Sequence, residues 1–234
     1  MDVELKGWVR TSLVDYPDHI ATVLFTGGCN FRCPMCHNAD LVLHASEIPT
    51  LSEAEVLDFL ARRRGLVDGV VITGGEPTLD LHLPGFLRRL RSVGLDIKLD
   101  TNGYRPHVLQ ALLGRGLVDF VAMDVKASPG KYALLAGRRA VDVERINRSV
   151  ALLRESGIDY EFRTTVVPQL LDEEDIECIA RWLAGAERYV LQQFRPVNTL
   201  DPAWQEVLPY PVGRLRAMAD LATKWVSHVA LRGV

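Results

Sequence analysis

Six short apolar runs recur along the chain, at Ile20–Phe25, Gly69–Thr73, Leu95–Leu99, Phe120–Asp124, Tyr160–Val166 and Tyr189–Gln193. A segment with helical start signals separates each from the next. Ser52-Glu53-Ala54-Glu55 reads as a capping box, with Ser52 as cap and Glu55 reaching back, opening a helix to about Arg63. Pro84 opens a second helix, to about Val93, and a third follows Pro106, because proline suits the first helical turn. A fourth spans about Asp142 to Glu155, Asp172 caps a fifth, and Pro211 starts a sixth reaching about Val226. Strands alternating with helices build parallel βαβ units. Strands that are apolar at nearly every residue belong in a sheet covered by helices. Six strands are too few for a closed eight-stranded barrel. The expectation is an α/β fold, a partial open (βα)6 barrel. Val3, Leu5 and Trp8 add a short N-terminal strand or hairpin. Residues 1–234 then read as one domain, with 1–19 as an N-terminal extension.

Composition narrows the function classes. Hydrophobic residues make up 48% of the chain, enough for a sizeable core. No apolar run approaches the ~20 residues of a membrane span. The start, Met1-Asp2-Val3-Glu4-Leu5-Lys6, lacks the basic-then-apolar order of a signal peptide, so a cytoplasmic location is expected. Net charge is −3 and Arg62-Arg63-Arg64, the longest basic run, reads as a helix end. Neither nucleic acid nor membrane is expected as a partner. Four cysteines in such a chain do not suggest disulfides. Cys178 lies beside the helix face formed by residues 176, 179, 180 and 183, and is expected to be a buried or half-buried structural thiol.

The other three cysteines are clustered. Cys29, Cys33 and Cys36 form CxxxCxxC within Gly28-Cys29-Asn30-Phe31-Arg32-Cys33-Pro34-Met35-Cys36-His37-Asn38. Three thiolates on one loop can hold three irons of a 4Fe–4S cubane, where four cysteines are usual. The fourth iron is then open to a substrate, as in catalytic metal sites. Three other readings stand beside this one. They are a zinc site with His37 or Cys178 as fourth ligand, an electron-transfer cluster completed by Cys178, and inert thiols.

Parallel barrels carry their chemistry at the C-terminal ends of the strands. Here the cysteine loop follows the first run. Thr73-Gly74-Gly75-Glu76-Pro77-Thr78 follows the second, Asp100-Thr101-Asn102-Gly103 the third and Asp124-Val125-Lys126 the fourth. Arg163 lies in the fifth, and Gln193-Phe194-Arg195 ends the sixth. Asp124 and Lys126 alternate, so they share a face. Plainer readings remain for several of these: a Gly-Gly turn, an Asx turn at Asp100, a structural salt bridge at Arg163.

Taken together, Ser12-Leu13-Val14-Asp15-Tyr16-Pro17, the cysteine loop, Gly74-Gly75-Glu76-Pro77, Asp100-Thr101-Asn102-Gly103 and Met123-Asp124-Val125-Lys126 resemble the radical S-adenosylmethionine (SAM) enzymes. Within them the chain most resembles the glycyl-radical-enzyme activases, especially the anaerobic ribonucleoside-triphosphate reductase activating proteins. Met35, where an aromatic residue is usual, and Asp18-His19, where glycine often follows the proline, depart from the pattern.

The resemblance implies two cofactors, SAM and a 4Fe–4S cluster on Cys29, Cys33 and Cys36. In that family the reduced cluster passes one electron to the SAM sulfonium, and the resulting 5′-deoxyadenosyl radical takes a Cα hydrogen from a glycine of a partner enzyme. Gly74 and Gly75 would let backbone approach SAM, and Glu76 would accept from its ammonium. Lys126 would meet its carboxylate and Arg163 would contact it. Gln193 and Phe194 fall in the adenine-proximal segment. Asp100, Thr101 and Asp124 match the oxygen ligands of a monovalent cation. No side chain is needed as a catalytic acid or base. The implied partners are a glycyl radical enzyme, a class III ribonucleotide reductase first, and a flavodoxin or ferredoxin as electron donor. The small extent of chain beyond the barrel favours a mouth open to a peptide loop. Two alternatives are a radical SAM enzyme acting on a small molecule, like 7-carboxy-7-deazaguanine synthase, and a non-catalytic iron–sulfur or zinc binding module.

Overall fold

Strands and helices alternate through the computed structural model, which describes residues 2–234. The strands lie in chain order, β1 to β8, in an open α/β sheet. Their contacts divide the chain into two compact units.

The first unit comprises residues 2–30, Asp40–Thr101 and Arg105–Ala122. It carries β1 (Leu5–Ser12), β2 (Ala21–Thr26), most of α1 (Ala39–Leu43), α2 (Glu53–Arg62), β3 (Gly69–Gly74), α3 (Leu83–Val93), β4 (Asp96–Thr101), α4 (Pro106–Gly114) and the start of β5 (Phe120–Asp124). β1 pairs antiparallel with β2, the hairpin expected at the N-terminus. β2, β3 and β4 are parallel. Ser52 caps α2 by accepting from the Glu55 N–H at 3.3 Å. Val56 and Leu60 form its buried face, and Arg62 ends it. Tyr16, Ala21, Val23, Val71, Phe120 and Ala122 make a buried cluster under the strands.

The second unit comprises Phe31–Ala39, Asn102–Tyr104 and Met123–Val234. It holds the end of β5, then α5 (Tyr132–Leu135), α6 (Val143–Arg154), β6 (Asp159–Val166), α7 (Glu173–Trp182), β7 (Arg188–Gln193), α8 (Val212–Ala222) and β8 (His228–Arg232). β6, β7 and β8 are parallel. Asp172 and Asp175 cap α7 reciprocally, each side chain accepting from the other's N–H at 3.1 Å. All six expected strands are present as β2–β7, and β8 is an addition. Cys178 corrects the sequence reading, for it is exposed on α7 while Ile176, Ile179, Ala180 and Leu183 are buried. Among the described residues, no helix is long and apolar enough to cross a membrane.

The Ser12–His19 loop is pinned from within. Ser12 Oγ donates to Asp15 Oδ2 at 2.5 Å and accepts from the Val14 and Asp15 N–H groups. Asp18 has φ 60°, the left-handed region where glycine is commonest and Asp is enriched. His19 stacks on Tyr16, with ring centroids 3.9 Å apart. Its Nδ1 lies 2.7 Å from the Pro17 carbonyl and its Nε2 3.1 Å from Asp96. Both partners are acceptors, so the imidazolium, with two N–H donors, suits the site best. Partial burial would lower the His19 pKa, but the Pro17 carbonyl and the Asp96 and Asp68 carboxylates outweigh it and raise the group above 6.5. A raised pKa contributes stability that is complete below the unfolded value and is lost as pH rises through the folded one. Asp96 is well exposed, so the effect is modest, about 0.5 kcal/mol. Thermal midpoints of the wild type and His19→Gln are therefore expected to differ most at pH below the ordinary imidazole value and to converge as pH rises above it through the raised folded value.

Candidate functional site

In the first unit, the loops after β2 and β3 are joined backbone to backbone. Gly75 N–H donates to the Thr26 carbonyl at 2.9 Å, and Glu76 N–H to the Gly28 carbonyl at 2.8 Å. That approach requires glycine. A Cβ on Gly75 would sit 1.9 Å from Gly28 O, and one on Gly74, whose φ is 118°, 2.4 Å from Thr26 N and O. The half-buried Cys29 follows this junction directly.

Glu76 is buried at 1% exposure. Its Oε1 accepts from Thr78 N at 3.1 Å, Thr78 Oγ1 at 2.5 Å and Thr101 Oγ1 at 2.7 Å. Three donors on one oxygen fix the carboxylate and stabilise its charge. Thr101, expected as a cation ligand, serves here as a donor to Glu76. Asp100 faces Lys98, whose Nζ donates to Asp100 Oδ1 and to the Asp15 carbonyl, each at 2.7 Å. Sequence reasoning missed Lys98. Its signal was a charge inside the apolar run Ile97-Lys98-Leu99, two residues from Asp100 and so on the same strand face.

In the second unit, Asp124 lies between two cations. Arg163 Nε donates to Oδ1 and Lys126 Nζ to Oδ2, each at 2.8 Å. The alternation of Asp124 and Lys126 put the two on one face, where they pair with each other, and the structural salt bridge at Arg163 is present. Burial would raise the Asp124 carboxyl, but the Arg163 and Lys126 charges outweigh it and hold it well below the usual carboxylate range. Burial would lower Lys126, but Asp124 and then Cys33 raise it well above an ordinary lysine. Val125, between them, is held at both backbone groups. Its N–H donates to the Arg163 carbonyl at 2.8 Å. Its carbonyl accepts from Thr164 Oγ1 at 2.7 Å, and Thr164 accepts from Tyr189 OH at 2.8 Å. Thr164 and Tyr189 are buried positioning residues that the motif reading did not single out.

Cys33 is buried and Cys36 half-buried, with the Cys36 N–H donating to the Cys33 carbonyl at 3.0 Å. The segment after β7 clasps their loop. Leu200 N–H donates to Cys36 O and Asp201 N–H to Pro34 O, both at 2.9 Å. His37 Nε2 lies 2.8 Å from the Arg195 carbonyl. Its ring stacks 6.5 Å from that of Phe194, which is fully buried. Met35 is buried too. The Gln193 amide donates to the Tyr210 carbonyl at 2.7 Å. Its Oε1 is buried without a hydrogen-bond partner among the described residues, leaving one acceptor for a donor from outside the chain.

The donor chemistry suits the implied groups. Three thiols match the iron ligands of an open cubane. Lys126 and Arg163 are cationic donors of the kind that hold a carboxylate. The Gly74–Gly75 junction allows backbone approach that side chains would block.

These features meet a matching family model, the radical SAM superfamily, over residues 23–183, and the chain belongs to that superfamily. It is a radical SAM enzyme of activase-like type, and the superfamily's cofactors are a 4Fe–4S cluster and SAM. It is 35% identical over 240 aligned positions to a Methanocaldococcus jannaschii protein that bears the name of a glycyl-radical enzyme activating enzyme, over 100% of this chain and 98% of the relative. It is 29% identical over 195 residues to the pyruvate formate-lyase-activating enzyme of Clostridium pasteurianum, 80% of this chain and 79% of the relative. Among solved structures, Streptococcus suis SuiB bound to the precursor peptide SuiA matches with TM-score 0.70 and 16% identity. That match covers 90% of this chain but 48% of SuiB, so the chain spans about half of SuiB and the likeness is one of fold.

Proposed function

We propose that the protein activates a glycyl radical enzyme by reductive cleavage of SAM, and that its partner is an anaerobic, class III ribonucleotide reductase. The observation that carries the activase reading is the end-to-end match to the activase-named relative, over 100% of this chain and 98% of that one. The reductase assignment rests on the Ser12–Pro17 and Asp124-Val125-Lys126 motifs, which resemble the reductase-activating proteins. A flavodoxin or ferredoxin is the proposed electron donor, on the same resemblance.

Cys29, Cys33 and Cys36 would hold the cluster. Glu76, fixed by Thr78 and Thr101, would receive the SAM ammonium. Lys126 spends one of its three N–H donors on Asp124 and can offer another to the SAM carboxylate. Arg163 keeps Asp124 charged, which in turn keeps Lys126 oriented. When bound, the reduced cluster and SAM together supply the 5′-deoxyadenosyl radical that takes the glycine hydrogen. No side chain has to move a proton for that step.

The test is electron spin resonance. The anaerobically reconstituted protein is reduced and mixed with SAM and the candidate reductase. A doublet on the reductase is expected, collapsing when its glycine is deuterated at Cα. SAM cleavage with silent glycyl radical enzymes, and with a small metabolite consumed instead, would overturn the proposal.

A further inference from the structure

Two helices end in the same turn. At the end of α5, Arg138 N–H donates to the Ala133 carbonyl at 2.9 Å and Gly137 N–H to the Leu134 carbonyl at 3.1 Å. At the end of α4, Leu117 N–H donates to the Leu112 carbonyl at 3.0 Å and Gly116 N–H to the Leu113 carbonyl at 2.9 Å. This is the Schellman pattern, which needs a left-handed residue. The two glycines supply it with φ of 60° and 59°. Their surroundings differ. A Cβ on Gly116 would meet nothing within 4 Å. A Cβ on Gly137 would lie 1.8 Å from the Arg32 carbonyl oxygen and 2.4 Å from its carbon. The left-handed turn explains a glycine at both places, but only Gly137 is also required by a close approach of backbone.

The group that Gly137 admits is the peptide unit joining Arg32 to Cys33. The preceding carbonyl, Ala136, accepts from the Arg32 N–H at 2.9 Å, so the end of α5 meets Arg32 at both backbone groups. The Tyr132 ring stands edge-on to that of Phe31, with centroids 6.4 Å apart, and Phe31 is fully buried. α5 is itself anchored. Lys131, just before it, donates to Asp175 Oδ2 at 2.6 Å and to the Leu170 carbonyl at 3.2 Å. The Tyr132 ring also meets Trp182 of α7 edge-on at 6.1 Å, and its OH lies 3.5 Å from the Asp124 carbonyl. Arg32, Cys33, α5 and α7 all belong to the second unit.

We propose that Gly137 is a positioning residue for the iron–sulfur cluster. The anchored end of α5 fixes the cysteine loop against the Asp124–Lys126 strand end, and the missing side chain at Gly137 allows the contact. The effect on the cluster rests on Cys33 as an iron ligand; the grip on Arg32 does not.

The experiment compares Gly137→Ala with Gly116→Ala, which share the left-handed strain. Amide hydrogen exchange is read first, on the cluster-free chain. The Arg32 amide should be protected in wild type and Gly116→Ala, and should exchange at least about tenfold faster in Gly137→Ala. The cluster-loaded proteins are then compared per iron bound. Gly137→Ala should cleave SAM about a hundredfold more slowly, as expected for a misplacement of ~1 Å. The change that SAM produces in the spin resonance spectrum of the reduced cluster should also be altered. Gly116→Ala should match wild type in both. Wild-type cleavage per cluster and an unaltered spectrum in Gly137→Ala would make Gly137 an ordinary helix end and overturn the proposal. So would a wild-type Arg32 amide that exchanges freely. If Gly137→Ala does not fold, Lys131→Met decides. It releases the start of α5 at a half-exposed residue and should speed Arg32 exchange and slow SAM cleavage, each about tenfold. Unchanged Arg32 exchange there overturns the proposal. A Cys33→Ala protein that still loads a full cluster would remove the iron-ligand reading instead, and leave Arg32 exchange to judge Gly137.

Discussion

Alanine at Cys33 or Cys36 is expected to abolish SAM cleavage, whereas Cys178→Ala leaves it at the wild-type rate. The two loop thiols lie on one turn, closed by the Cys36 N–H on the Cys33 carbonyl and held by Leu200 and Asp201. A cubane held by three thiolates has no spare ligand, so removing one costs the cluster rather than a fraction of its stability. Cys178 cannot rescue the loss in this reading, because it is exposed on the outer side of α7. Iron and sulfide analysis gives the check. Wild type and Cys178→Ala should hold about four of each per loaded chain, and the loop variants far less. SAM cleavage at the wild-type rate by Cys33→Ala would remove the cluster assignment.

Much of this was legible because the fold puts polar residues where apolar runs stop. Glu76, Asp100, Asp124 and Gln193 each end or follow a strand, and the sequence marks them as breaks in hydrophobic patterning. Their partners were less visible. Thr78 had no role assigned and Thr101 was expected as a cation ligand, and only the fold shows both hydroxyls on Glu76 Oε1. Thr164 and Tyr189 occupy adjacent parallel strands, a juxtaposition set by register rather than by sequence distance. β8 escaped notice because its residues are half-exposed or exposed, and in His228-Val229-Ala230-Leu231-Arg232 the apolar run is only three residues long. Cys178 was misplaced for an angular reason. At ~100° per residue it lies well off the stripe of Ile176, Ile179, Ala180 and Leu183. The periodicity that marked the helix face already placed it outside.

The second large effect is expected from one methyl group. Gly75→Ala places a Cβ 1.9 Å from the Gly28 carbonyl oxygen, a backbone atom that cannot rotate away. Relief requires the loops after β2 and β3 to part by more than an ångström. That breaks the Glu76 N–H bond to Gly28 and disturbs the register Thr26↔Gly74. Cys29 adjoins Gly28 and Glu76 adjoins Gly75, so a cluster ligand and the proposed ammonium acceptor move apart together. Overpacking of this kind costs up to about 3 kcal/mol. Misplacing a reacting constellation by ~1 Å costs about a hundredfold in rate. The expected outcome is therefore a folded protein with a lowered thermal midpoint and SAM cleavage reduced about a hundredfold or more. Gly213→Ala provides the contrast. A Cβ there meets nothing within 4 Å in the first turn of α8, so stability should rise by up to about 1 kcal/mol with cleavage unchanged. A Gly75→Ala protein that cleaves SAM at the wild-type rate would mean that the close approach of the two loops has no part in holding the cofactors.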